Sequence, residues 1–296
     1  MNCYFDEEIR ENMELAGIIR SKEFSPNNTG NDSEIFHLTM EKLIAKGCQI
    51  KEYSEEEFIT RDLTHRYYFG MYRDKRSVEK MKNLEQNGCI CINTAEGIER
   101  CYRDNLTQTM ITHHVPYPKS KIVATNRDAT SAIEELGGRN IWVKRGDFHA
   151  VHKEDVSFCR NSEEGNSLLH EFALRNIKTA SLSSHLEGDL IKFYGVVGSD
   201  FFYWFYPYES HHSKFNQESV NGASRHYSFH EESFQFICQQ AAVCIGIEIY
   251  GGDAIISPEG EIHLIDINDW PSFAPCREKA SDAIAECIYK HFCQRQ

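Results

Sequence analysis

Apolar residues recur at helical spacing in several stretches of this chain and at strand spacing in others. The clearest helix is predicted over 231–245, where Phe234, Ile237, Cys238, Ala241, Cys244 and Ile245 follow the i, i+3, i+4, i+7 pattern. A last helix is predicted from about 279, with Ala280, Ala283, Ile284, Cys287, Ile288 and His291 on one face. Near the start, Asp32 or Ser33 can cap a helix running to about 46, with Ile35, Leu38, Leu43 and Ile44 partly in period and Gly47 at its end. Ser54 starts a short helix through 59. Ser77 caps another that carries Val78, Met81 and Leu84 and stops at Gly88. Further helices are predicted over 104–114, 128–136 and 163–174.

Short apolar runs predict strands at 89–92 and 141–144. The runs 190–197 and 201–206 read as a hairpin turning at Gly198-Ser199-Asp200, and 254–256 pairs with 262–265 across Pro258-Glu259-Gly260. The first thirty residues read as irregular, with a loop at 25–31. No internal repeat is visible. The first half therefore alternates strand and helix, an α/β pattern, and the second half is α+β with antiparallel hairpins and flanking helices. Val115-Pro116-Tyr117-Pro118 marks a linker and a nearby domain boundary.

Composition narrows the function. The chain has 296 residues, 41% hydrophobic and 26% charged, which suits one large domain or two modest ones. Its net charge of −13 argues against a nucleic acid partner. Apolar runs such as 201–206 fall far short of the ~18 residues a spanning helix needs, and the acidic start is unlike a signal peptide. A cytoplasmic protein without a membrane partner is expected. Eleven cysteines include no C-x-x-C pair, so reduced, mostly buried thiols are expected rather than a zinc site. The sequons at Asn27, Asn31 and Asn105 carry no weight without a secretory signal.

The chemistry concentrates in two places. Gly251-Gly252-Asp253-Ala254-Ile255-Ile256 is followed across the turn by Ile265-Asp266-Ile267-Asn268-Asp269. Asp266 and Asn268 are two apart, so on a strand they share a face. Two carboxylates and an amide oxygen suit Mg²⁺ and its phosphate ligands; the same spacing also suits ordinary polar residues at strand ends. Upstream, Lys144 and Lys192 sit mid-strand among apolar neighbours, where a lysine must snorkel to solvent or meet an anion.

The order of these parts resembles an ATP-grasp enzyme over most of the chain. Arg103-Asp104-Asn105-Leu106-Thr107 and Val115-Pro116-Tyr117-Pro118 are similar to the "D-K-x-x-T … G-I-P-x-P" entry of that family. The stretch 183–192, Ser-Ser-His-Leu-Glu-Gly-Asp-Leu-Ile-Lys, is similar to its adenine-contacting hinge and second lysine. Asp253 with Asp266-x-Asn268 is similar to its magnesium hairpin. The D-x-N form is close to the inositol polyphosphate 1-kinase branch, whereas glutathione synthetase and ribosomal-protein-modifying ligases more often show E-x-N. The resemblance implies an N-terminal α/β domain (1–108) and two α+β subdomains (109–182 and 183–296) that sandwich ATP. It implies that Lys144 and Lys192 bind ATP phosphates, that backbone around His185 and Leu186 meets adenine, and that Glu187 holds the ribose. Asp253, Asp266 and Asn268 would hold one or two Mg²⁺. The sequence departs from the pattern at Asn105, where a lysine is usual and Arg103 would compensate. It departs again in the loop 145–150, with one glycine, and at Ser183 and Ser184.

An acceptor is expected between the N-terminal domain and the magnesium hairpin. Arg225 is the candidate to steady the transferred phosphoryl group, with Lys214 its rival and an exposed loop charge the alternative. Asn27, Asn28, Arg73, Arg76 and Arg277 are candidates to bind the acceptor. Cys276 has no obvious base beside it, and His113-His114 and His211-His212 read as surface pairs. The implied function is an ATP-dependent ligase that joins a carboxylate to an amine or thiol through an acyl phosphate, with a small-molecule or peptide acceptor. A kinase acting on a polyol or inositol phosphate hydroxyl and a nucleotide-binding protein without turnover are the alternatives; a homodimer is a family-level expectation.

Overall fold

The computed structural model describes residues 13–24, 29–207 and 220–294. The first sheet holds β1 (Glu14–Ile19), β2 (Gln49–Ser54), β3 (Tyr67–Gly70) and β4 (Ile90–Ile92) in the order β2-β1-β3-β4, all parallel. Parallel strands need crossovers, and α1 (Thr29–Ala45), α2 (Glu55–Thr60) and α3 (Lys75–Gln86) supply them. β1 lies where irregular chain is expected. Its Leu15, Ala16 and Ile18 are fully buried, as in a strand covered on both faces, which shows a continuous apolar run instead of alternation.

Helices α4 (Ala95–Arg100) and α5 (Arg103–Thr112) lead to a second sheet. It contains β5 (Ser120–Ala124), β6 (Ile141–Arg145), β7 (Val156–Cys159) and β8 (Thr179–Ser184), antiparallel in the order β5-β8-β6-β7. Helices α6 (Thr130–Glu135) and α7 (Ser162–Leu174) pack together beside it. The third sheet is also antiparallel: β9 (Asp189–Val196), β10 (Phe202–Phe205), β11 (Ile249–Ile256) and β12 (Ile262–Asp269), in the order β10-β9-β11-β12. Helix α8 (Glu231–Ile245) covers it, and Gly246 ends the helix in the left-handed region at φ 85°. This is the expected fold class, an α/β unit followed by two α+β units. β8 runs across the boundary expected at 182.

Three local expectations are corrected. Helix α1 starts at Thr29, because Asp32 spends its carboxylate on Arg20 (3.1 Å) inside the helix instead of capping it. Helix α3 is capped by Asp74, which accepts from Arg76 N at 2.8 Å, and Ser77 lies buried in the first turn. β11 and β12 extend well past the predicted 254–256 and 262–265. Gly251 and Gly252 break the apolar pattern, but pairing continues through them to Tyr250 opposite Asp269, with a bulge between Asp253 and Ala254.

The last helix, α9 (Arg277–Cys293), leaves the third sheet and packs on α1. Its Ile284, Ile288 and Phe292 share a core with Leu15, Phe36, Leu43 and Phe69 of the first unit, and Lys42–Asp282 (2.9 Å) flanks the seam. Asn93 ties the first sheet to the third: its Oδ1 accepts from Glu248 N and Ile249 N (both 2.9 Å), and its Nδ2 donates to Ile249 O at 2.8 Å. Among the described residues the cysteines are free, and no helix is long and apolar enough to cross a membrane.

Candidate active site

The second and third sheets face each other across a cleft of about 250 Å³. Strand geometry orders its walls. On β9 and β11, Leu190 pairs with Ile255 and Lys192 pairs with Asp253. Residues two apart share a face and lie roughly 7 Å apart, so an apolar rung is followed by a charged one. β6 repeats the order with Trp142 and then Lys144, and β12 adds Asp266 opposite Asp253. Trp142, Val156, Leu186, Leu190, Ile255 and Ile265 thus form an apolar slot. Arg73, Arg103, Lys144, His149, Lys192, Asp253, Asp266 and Asn268 line the remainder.

The slot is fixed by polar contacts at its rim. Trp142 Nε1 donates to His185 Nδ1 at 3.2 Å, and burial pushes the His185 imidazole down, which keeps it neutral with Nδ1 as an acceptor. Asn221 Nδ2 donates to Leu186 O (3.0 Å) and Gly188 O (3.1 Å), so it pins the loop between β8 and β9. Asn140 O accepts from His185 N at 3.0 Å.

The charged end is built from ion pairs. Lys192 Nζ lies 2.6 Å from Asp253 Oδ1. Arg103 Nη1 and Nη2 donate to Asp266 Oδ1 and Oδ2 at 2.8 and 3.0 Å. Burial alone would raise the Asp266 carboxyl, but Arg103, with Lys144, holds it below the usual range. Lys144 is 7% exposed and donates to Ile265 O at 3.3 Å. Its burial and the neighbouring Arg103 push the ammonium down to about 8, against the pull of Asp266 and Asp253. Arg103 and Asn105 are two apart at the start of α5, so they face opposite sides of the helix. Asn105 turns outward to Glu99 O at 3.0 Å, and the cation of this segment in the cleft is Arg103.

A loop from Gly146 to Asp155 crosses beside this end. Asp104 N donates to Gly146 O at 2.9 Å, and a Cβ on Gly146 would lie 2.2 Å from Asp104 Oδ1, so only glycine fits there. Phe148 is buried against Phe24 and Tyr102 of the first unit, with ring centroids at 5.5 and 4.9 Å. The fully buried Asp155 accepts from Val151 N and His152 N and pairs with Arg145 and Arg175. His149, carried by the loop, sits 3.5 Å from Asp269. Asp269 in turn binds Arg73 Nε at 3.2 Å.

The cleft brings together Lys144, Lys192, Arg103, His185, Leu186, Asp253, Asp266, Asn268 and Arg73. Other candidates lie elsewhere. Glu187 is exposed and does not line the cleft. Arg225 is exposed with Nη1 on Tyr227 OH (3.2 Å), and its backbone N–H, not its guanidinium, serves the fold by binding Asp189 at 2.6 Å. Arg76 turns back on Asp74 at 2.6 Å, and Arg277 pairs with Glu34 at 2.5 Å. Asn27, Asn28 and Lys214 lie outside the described residues. Cys276 is half-buried, and burial pushes its thiol up to about 12, so it is no nucleophile at neutral pH. Sequence reasoning missed Trp142 and His149 as residues of the cleft. Only Trp142 carried a signal, since it stands two before Lys144 on the same strand face.

No protein-family model and no curated protein matches this sequence. Solved structures do match. The D-alanine–D-alanine ligase from Bacillus anthracis complexed with ATP superposes with a TM-score of 0.66 at 11% identity, over 96% of this chain and 100% of that one. The RimK domain protein ATP-grasp from Sphaerobacter thermophilus gives 0.65 at 11% identity, over 92% and 99%. The D-cycloserine synthetase DcsG gives 0.62 at 13% identity, over 93% and 99%. With two facing antiparallel sheets that place paired lysines and oxygen donors beside an apolar slot, and with these full-length likenesses, the chain has the ATP-grasp fold.

Proposed function

We propose that this protein is an ATP-dependent ligase that activates a carboxylate as an acyl phosphate and joins it to an amine or thiol. The observation that carries the proposal is the sequence of rungs in one cleft: the apolar slot, then Lys144 and Lys192, then Asp253, Asp266 and Asn268. The slot suits an adenine ring, with the loop at His185 and Leu186 supplying backbone groups. Lys144 and Lys192 are placed to take phosphate oxygens, which neutralises charge that develops during phosphoryl transfer. The ligases among the structural neighbours support the reaction class, and Arg73, which lines the same cleft, is the proposed contact for the acceptor.

The donor set tests the fit of Mg²⁺. Among the described residues no three His, Cys, Asp or Glu side chains converge on a metal position. Oxygen donors on neighbouring strands are present nonetheless, and Mg²⁺ needs only one or two carboxylates when phosphates complete its shell. Asp253 and Asn268 fit that role, whereas Asp266 is held by Arg103. When bound, the ion would polarise phosphate oxygens; the chain's part is to fix the lysines and exclude water with the loop 146–155.

The test is thermal unfolding with ATP, with and without Mg²⁺, followed by an acceptor screen for ADP and phosphate release. Ligand at 100 times its Kd adds about 2.7 kcal/mol to stability. A magnesium-dependent rise that is lost in Asp253→Ala is expected, as is free phosphate only when both acceptors are present. Phosphate retained on the product would identify a kinase. Absence of any ATP-induced shift would overturn the proposal.

A further inference from the structure

Asp266 is held differently from the other acid of the cleft. Arg103 meets it fork to fork, and the two side chains are only 6% and 21% exposed. A bidentate guanidinium occupies a lone pair on each carboxylate oxygen and fixes the plane of the group. Arg103 has little freedom to leave. It stands in the first turn of α5, where Asp104 N is bonded to Gly146 O and Leu106 is in the core. Asp253 differs: Lys192 meets its Oδ1 at 2.6 Å from a flexible four-carbon stem, a point charge and not a planar fork. Asn268 is on the strand face shared with Asp266, opposite Gly251; its amide N–H donates to the Asp266 carboxylate, so its Oδ1 is not spent on that contact. Asp266 stands opposite Asp253 and two residues before Asn268, so a second divalent ion on this face would need its oxygens. With Asp266 committed, the oxygens left on these strands suffice for one.

We propose that Arg103 stands as a built-in cation where a second metal ion would otherwise bridge Asp266, so that the protein binds its nucleotide with a single divalent ion held by Asp253 and Asn268. This rests on the ATP reading above. The positive charge beside the phosphates is then partly covalent to the chain and does not depend on metal concentration.

The experiment uses the full chain, a non-hydrolysable ATP analogue and Mn²⁺ in place of Mg²⁺. Analogue binding is followed by calorimetry and bound Mn²⁺ by electron paramagnetic resonance. One Mn²⁺ per protein–analogue complex is expected at saturation. Arg103→Met frees Asp266 and is expected to raise this to two; Arg103→Lys, which keeps a cation, is expected to leave it at one. Asp266→Asn is a second variant should Arg103→Met fail to fold. Its Mn²⁺ affinity is expected to stay within about threefold of wild type, because a side chain that is not a ligand contributes little, whereas loss of a ligand costs tenfold or more. Two Mn²⁺ in wild type, one in a folded Arg103→Met, or a tenfold loss in Asp266→Asn would each overturn the inference while leaving the ATP reading intact. Failure of the analogue to bind at all would overturn both.

Discussion

Replacing Lys144 by methionine is expected to make the protein more stable and a worse binder of ATP. Lys144 is 7% exposed, and burial together with Arg103 brings its ammonium from 10.5 down to about 8. The unfolded chain keeps this proton up to about pH 10.4, whereas the folded chain releases it near 8. Below pH 8 the folded state therefore carries the full cost of a buried charge, about 3 kcal/mol at 1.36 kcal/mol per unit. The cost is relieved as pH rises between those two values, because there the unfolded state binds more protons. At pH 7, Lys144→Met is expected to unfold at a higher temperature by roughly 6 °C, taking about 2 °C per kcal/mol for a chain of this length. Nucleotide phosphates restore the charge, so ATP binding at pH 8 should take up about half a proton per site. The apparent Kd should weaken about tenfold between pH 7 and pH 9 as the competent ammonium form is depleted. Calorimetry in buffers of different ionisation enthalpy reads the proton directly, and Lys144→Met should lose that uptake. A variant less stable than wild type at pH 7, or ATP binding without proton uptake at pH 8, would refute the reasoning.

Three further outcomes follow from buried groups. Asn93→Ala strands the Glu248 and Ile249 N–H groups at about 1–3 kcal/mol each, so a fall of roughly 4–12 °C in the unfolding midpoint is expected; a change no larger than that of exposed Asn105→Ala would refute the tie between the first and third sheets. Asp155→Asn removes a fully buried carboxylate from Arg145 and Arg175, a change of about 3–5 kcal/mol for a broken buried pair, to be read as loss of midpoint and as protease cleavage within 146–155. Cys276→Ala should leave ATP binding and turnover unchanged, and iodoacetamide at pH 7 should not label Cys276, since its thiol ionises only near 12; labelling at a rate like that of a free thiol would contradict this.

Much of the architecture was legible because helices announce themselves by period. The 231–245 helix was read at its actual limits. β1 was not, because a strand covered on both faces has no alternation to show, and Gly17 interrupts its short run. Helix starts slipped where several capping residues compete: Asp32 and Ser77 are good caps by chemistry, but Arg20 claims the first and Asp74 precedes the second. On the strands a spacing of two fixes a common face, and Lys144, Lys192, Asp253, Asp266 and Asn268 all line the cleft. Residues off the strands follow no such rule. Arg225, Arg76 and Arg277 find partners nearby that the sequence does not reveal, while His149 and Asn221 enter the cleft through loop paths with no period to follow.

The docking of α9 on α1 has a consequence for synthesis. The first unit is translated early, yet the core that holds Leu15, Phe36 and Phe69 also contains Ile284, Ile288 and Phe292. A nascent chain emerging at 5–20 residues per second would leave that face of the first unit bare for some ten seconds or more. The newly made α/β unit would be an open surface waiting for a helix nearly two hundred residues downstream. It is in that interval, before the last helix arrives, that this protein would most need a chaperone.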